Sequence, residues 1–503
     1  MDHMISRLGF QHVVRAATRR GLLRGVAAGL LAGRFFAGEP GDADARRCKK
    51  GKKRCGKRCR NLQTSKRHCG KCGKRCRGGS HCDKGVCCPA GEVNCRGECR
   101  RDCPTPVAHR PFPQHVAYPG AVNRLSRRSA SQQQADVQTA YERWKRNYVI
   151  KAYPDAQGQP RYRIAWGKRG TSEFRQTISE GQGYGLIILA HMGGYDPDAQ
   201  HLFDGVWRFS RDHPSRVDSR LMQWLVPTTP DDADSAFDGD CDIAYGLLLA
   251  DAQWGSEGGI DYRAAALRVI DGIRESTIGP DSKLPMLGDF STPNGSSYNQ
   301  WTTRTSDYML GNFRAFGRAT GNAVWEQVVL ACQGVVASLQ AQHSPGTGLL
   351  PDFVEPVSAT DHTPRPASPN FLEAPTDGDY FFNAARDPWR LGVDALINGD
   401  AVSAQQAGKI GAWANAATGG RPLKFHSGYH LDGQALRNSN YFDTCFVAPL
   451  GVAAMTIAGQ QQWLDDSYAA VINDGSEDYF DDNVGLLCLL IMTGAFWDPT
   501  VSS

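Results

Sequence analysis

Ala236-Phe237-Asp238-Gly239-Asp240-Cys241-Asp242-Ile243-Ala244-Tyr245-Gly246-Leu247-Leu248-Leu249-Ala250-Asp251-Ala252-Gln253-Trp254 puts three acids at alternate positions and then runs into a strongly apolar helix. One of the acids could cap that helix. Three exceed what capping needs, and their mutual repulsion costs stability, so they point to chemistry. Asp-x-Asp-x-Asp also resembles a calcium loop. Here, however, the acids enter a helix directly, and no Glu stands at the twelfth position.

Helical spacing of apolar residues extends in both directions from this stretch. It predicts helices over 136–149, 183–192, 240–253, 262–275, 306–320, 323–342, 388–397, 401–417, 446–457, 462–472 and 479–493. Between them lie long Gly/Pro/Asp/Asn loops and no convincing series of alternating strands. The large domain, 136–503, is therefore expected to be all-α. Ten to twelve helices over roughly 370 residues fit a closed helical toroid better than a bundle. The uncharged run Val484–Trp497 is shorter than the about 20 residues a membrane span needs, so it reads as a buried helix.

The 503 residues are 41% hydrophobic and 22% charged, which excludes a disordered tail and a membrane bundle. The net charge of +5 conceals a split: residues 46–103 carry 20 Lys+Arg against 4 Asp+Glu, whereas 104–503 carry a net −13. Nucleic-acid binding by the whole chain is excluded, because most of the protein would repel phosphate.

Thr18-Arg19-Arg20-Gly21-Leu22-Leu23-Arg24, ahead of a short apolar run to Phe36, has the pattern of a twin-arginine export signal over 1–45. Twelve of the 16 cysteines fall between Cys48 and Cys103, a segment almost without aliphatic residues, so a covalent or metal staple must hold it. Disulfides are expected. Zinc is the alternative, but only Cys69-Gly-Lys-Cys72 has CxxC spacing. This basic module, 46–103, is expected either to adhere to an anionic cell-wall or matrix polymer or to be a solvated spacer. The Pro-rich and Ser/Gln-rich stretch 104–135 reads as a linker.

A second motif, Thr177-Ile178-Ser179-Glu180-Gly181-Gln182-Gly183-Tyr184-Gly185, puts one carboxylic acid at a helix mouth among small residues that permit close approach of a ligand. Together with the Asp238 helix, Ser306-Asp307-Tyr308 and Asn383-Ala384-Ala385-Arg386-Asp387-Pro388-Trp389-Arg390, it resembles the family 8 glycoside hydrolases over nearly all of 135–500. Phe237 departs from the family signature, where a small hydroxyl residue is usual.

The resemblance implies an (α/α)6 barrel and an inverting endo-hydrolase of β-1,4-linked polysaccharide. Glu180 would be the general acid, and Asp238 would lie under the distorted sugar at the cleavage point. Many members carry an Asp base where Asn383 stands, and an amide cannot accept a proton from water at neutral pH. A subgroup that includes chitosanases takes its base from a preceding inserted loop. This implies Glu373 as base, with Asp377, Asp379 and Glu355 as alternatives. The substrate-binding set is expected to be Trp224, Tyr308, Asn383, Arg386, Tyr380, Trp389, Asp240 and Asp307, with no metal and no cofactor. The Asn383 pattern and the −13 charge lean toward chitosan, with β-glucan and xylan open. A catalytically silent polysaccharide-binding or wall-adhesion protein is the alternative.

Overall fold

The computed structural model describes residues 48, 52–56, 58–83, 85–95, 98–100, 107–154 and 159–501. The expected export signal lies outside these residues. The chain forms a small and a large unit.

The small unit is built of three antiparallel hairpins, Lys53–Cys55 with Arg58–Arg60, His81–Asp83 with Val86–Cys88, and Val93–Cys95 with Glu98–Arg100. Among the described residues five disulfides staple it: Cys48–Cys59, Cys55–Cys72, Cys69–Cys82, Cys76–Cys87 and Cys88–Cys99. Cys69 and Cys72, the CxxC pair of the zinc alternative, go into different bridges. A segment so poor in apolar residues gains its order from cross-links that restrict the unfolded chain.

In the large unit twelve α-helices are described, and they alternate between two rings. The outer ring is α1 (Ala130–Tyr148), α3 (Ala199–Asp212), α5 (Tyr262–Ser276), α7 (Val324–Gln342), α9 (Ala401–Thr418) and α11 (Gln461–Asn473). The inner ring is α2 (Ser179–His191), α4 (Phe237–Trp254), α6 (Leu310–Thr320), α8 (Asp387–Asn398), α10 (Thr444–Ala454) and α12 (Tyr479–Met492). Each inner helix packs on the next and α12 closes on α2, which makes the (α/α)6 barrel. The inner helices α10 and α12 are covered on every side, and all their residues are buried.

Two expectations need correction. Residues from Val107 onward belong to the large unit and are not a linker. Tyr118 is buried and donates its hydroxyl to Phe496 O, Val116 N–H bonds Gly494 O, and the Asn123 amide bonds Ala454 O and Ile457 O. The Ser/Gln-rich stretch is the start of α1: Ser129 and Gln132 form a capping box, two side chains each satisfying the other's backbone N–H. Helix α3 was not expected. Its Leu202, Phe203, Val206 and Phe209 form a helical stripe, interrupted by Gly205 where the Tyr162 ring packs against the backbone.

No described helix is long and apolar enough to cross a membrane.

Candidate active site

The first turns of α2 and α4 meet at one end of the barrel. Gly239 lies so close to Ser179 that a Cβ there would overlap its side chain, which brings Glu180 and Asp238, the neighbours of those two residues, together. In α2, Glu180 alone is not buried. It faces a cleft of about 590 Å3 lined also by Trp166, Trp224, Asp238, Arg304, Glu373, Phe382, Asn383, Tyr479 and Phe480.

Arg386 is the centre of the network. It is buried below the cleft floor and donates through Nη1 to Glu180 Oε2 (2.7 Å), Asp238 Oδ2 (2.9 Å) and the Tyr184 hydroxyl (3.2 Å). Its Nη2 donates to Ser306 Oγ and Asn383 Oδ1, each at 2.9 Å. Arg304 approaches from the other side, with Nη2 3.2 Å from Asp238 Oδ1 and Nε donating to Asp307 Oδ1 at 3.1 Å. Asn383 Nδ2 donates to Glu373 Oε2 at 3.0 Å. Glu180 and Glu373 are thus joined only through Arg386 and Asn383, without touching each other.

The electrostatics separate the acids. Burial pushes Glu180 up to about 7; Arg386 and Arg304 pull against this, and Asp238 reinforces it. Asp238 is buried too, but Arg304 and Arg386 outweigh the desolvation and hold it at about 2. Burial raises Glu373, opposed by Arg304 and the Asn383 hydrogen bond and assisted by Asp377. Near neutral pH the cleft can therefore present one proton donor and one firmly ionised carboxylate, beside a third acid, Glu373, with an oxygen fixed by an amide.

The expected substrate-binding residues divide into two groups. Trp224 and Asn383 line the cleft, and Arg386 lies directly beneath it. Tyr308, Tyr380 and Trp389 do not reach it. Tyr308 and Tyr380 are core side chains, Tyr380 packing on Phe425 and Phe446, and Trp389 lies under the Arg390 guanidinium 4.0 Å from its ring centre. Flat aromatic residues serve helix packing as well as they serve sugars, and burial decides here against sugars. Asp240 accepts from Met222 N–H at 2.8 Å and so fixes the segment before Trp224; Asp307 is buried against Arg304. The third acid of the triplet, Asp242, pairs with buried Arg390 at 2.7 Å. The three carboxylates of the calcium-like pattern therefore point at three different partners. Phe237 sits in the core against Phe313.

The alternatives to Glu373 are occupied elsewhere. Asp377 accepts backbone N–H groups, Asp379 pairs with His430 at 2.8 Å, and Glu355 pairs with Arg365 at 2.8 Å. Sequence reasoning missed Arg304, Trp166, Tyr479 and Phe480. Tyr479 donates to Glu180 Oε1 at 3.2 Å, and Gly181 makes room for that ring, since a Cβ there would lie 2.6 Å from the hydroxyl. The signal was present in Gly181; its partner, some 300 positions away, carried none.

The family model for "Glycosyl hydrolases family 8" matches residues 114–494. A "Beta-glucanase" of Niallia circulans is 36% identical over 392 residues, covering 77% of this chain and 91% of that protein. An "Endoglucanase" of Bacillus sp. (strain KSM-330) is 34% identical over 402 residues, 78% and 82% of the two chains. The apo structure of a β-1,3-1,4-glucanase from Paenibacillus sp. X4 superposes with a TM-score of 0.71 at 34% identity, covering 78% of this chain and 100% of that one.

Proposed function

The chain belongs to family 8 of the glycosyl hydrolases, and on that premise we propose that it is an exported, inverting endo-hydrolase of neutral β-glucan chains, with Glu180 as general acid and Glu373 as general base. The observation that carries this reading is the line Glu180–Arg386–Asn383–Glu373 across a single cleft. In an inverting reaction one carboxylic acid protonates the leaving oxygen while a carboxylate activates water on the opposite face. Glu180, still half protonated near neutrality, suits the first task. Glu373, with one oxygen fixed by Asn383 and the other without a hydrogen-bond partner among the described residues, suits the second. Asp238, kept ionised by two arginines, stabilises the positive charge that develops on the sugar ring. Trp166 and Trp224 supply flat faces for pyranose rings.

The cleft favours a neutral polymer over chitosan. Among the described residues its acids are Glu180, Asp238 and Glu373, and they face the two guanidinium groups of Arg304 and Arg386. A protonated amino sugar would therefore meet little net negative charge there. The relatives named as β-glucanase and endoglucanase support the same choice. Chitosan, favoured by the charge of the whole domain, is the second reading.

Release of reducing ends from lichenan, carboxymethyl-cellulose, soluble chitosan and xylan tests the proposal. Rapid release from the glucans is expected. Faster release from chitosan would favour the second reading, and no release from any of them would favour a polysaccharide-binding protein without turnover.

The five disulfides support an oxidising compartment outside the cytosol. The role proposed for the small unit is to hold the enzyme on an anionic wall or matrix polymer. Lys52, Lys53, Arg54, Arg58, Lys66, Arg67, Lys71, Lys74, Arg75 and Arg77 are all exposed on it. Charge of this density attracts polyanions in a salt-dependent way.

A further inference from the structure

We propose that Asp377 is a positioning residue for Glu373: its carboxylate is the template on which the base-bearing loop folds. The inference rests on Glu373 being the base. Asp377 is buried, and both its oxygens accept backbone N–H groups, Oδ2 from Leu372 (2.7 Å) and Glu373 (2.9 Å), Oδ1 from Ala374 (2.8 Å). Three successive amides of a loop without helix or strand thus converge on one carboxylate. Such charge-assisted bonds are roughly twice as strong as neutral ones. One of the three amides is that of Glu373 itself, so the carboxylate fixes the backbone from which the base projects.

The template is anchored on both sides. Phe353 N–H donates to Asp377 O at 2.9 Å, tying it to the strand Phe353–Pro356. Phe371 packs against Phe353 and Tyr298, and the Tyr298 hydroxyl donates to Phe371 O at 3.1 Å. Asn383 then holds the tip of the Glu373 side chain. Backbone and tip are fixed separately, which leaves the base few wrong orientations. The charged and titratable groups facing Glu373 are Arg304 and Arg386 on the cleft side and Asp377 and Asp352 on the loop side. Asp377 therefore acts in two ways: it orients the base and, as a like charge, makes it more basic.

The test uses the full chain and the variants Asp377→Asn, Asp377→Ser and Glu373→Ala, each compared with wild type for near-ultraviolet circular dichroism and Tm. Misplacement of a reacting group by about 1 Å costs up to about a hundredfold. Asp377→Asn is expected to lower kcat at least about tenfold, leave KM within about twofold, and move the acid limb of kcat/KM to lower pH. The sign follows from the lost negative charge, which lets Glu373 ionise earlier. Azide attacks the anomeric carbon without a base, so it should restore turnover to Glu373→Ala and yield a glycosyl azide of inverted configuration. It should not restore Asp377→Asn to the same extent. Wild-type kinetics and an unmoved limb in Asp377→Asn would overturn the proposal while leaving Glu373 as base. Azide rescue of Asp377→Ser but not of Glu373→Ala would overturn the base assignment itself. Loss of the native fold in both Asp377 variants would make the residue merely structural and would also overturn the proposal.

Discussion

Asn383 holds Glu373 from 3.0 Å with the same amide whose oxygen is gripped by Arg386. The amide cannot be a base, but it joins the proposed base to the guanidinium that also holds the proposed acid. A carboxylate at position 383 would face Glu373 as a like charge and raise its pKa. Asn383→Asp is expected to move the acid limb of kcat/KM to higher pH. Asn383→Ala should lower kcat about tenfold to a hundredfold with little change in KM. A pH–rate series on both variants checks this, and unmoved limbs would remove Asn383 from the mechanism.

On the proposed assignment Glu180 sets the alkaline limb. Its proton must be present for the leaving oxygen to depart, so activity should fall as pH rises past about 7. Arg386 lowers the acid's pKa. Arg386→Gln should therefore shift that limb upward while destabilising the protein by about 3–5 kcal/mol, the cost of stranding buried carboxylates. Glu180→Gln should lower turnover by about 10²–10⁴ and abolish the limb. Titration of kcat against pH, with thermal unfolding run in parallel, separates the two effects.

Gly239→Ala should damage stability and catalysis together. The added methyl meets Ser179 at the α2–α4 crossing, so the helices must separate at the level of Glu180 and Asp238. Overpacking of this kind costs about 1–3 kcal/mol. A lowered Tm with loss of turnover is expected; unchanged turnover would show that the acids tolerate the separation.

Reduction should divide the molecule functionally. The four cysteines of the large unit, Cys241, Cys332, Cys445 and Cys488, are free and buried, whereas the small unit depends on its disulfide bridges. Under dithiothreitol, hydrolysis of a soluble glucan should persist, while retention on a polyanionic resin at low salt should weaken. Parallel loss of both would contradict a separate adhesion role.

Much of the barrel was legible because several inner helices carry long apolar runs; α4, α10 and α12 declare themselves in the sequence. The start of α1 was not, since Ser129 and Gln132 read as loop chemistry until the cap they form is seen. The site was legible where motif and helix mouth coincide, at Glu180 and Asp238. It was illegible where long-range packing decides. Tyr380 and Trp389 look like sugar platforms in the sequence and are core in the fold, whereas Arg304 and Tyr479, which touch the acids directly, stand in no motif of their own. The expected linker failed for the same reason: nothing local in Pro111–Tyr118 announces that it packs on the barrel.

The central claim is tested most directly by turnover of Glu373→Gln on soluble β-glucan. The amide keeps the size of the side chain and an acceptor for Asn383 while removing the base, so kcat should fall at least about a hundredfold with substrate binding retained. Near-normal turnover would contradict the assignment of Glu373 as the base.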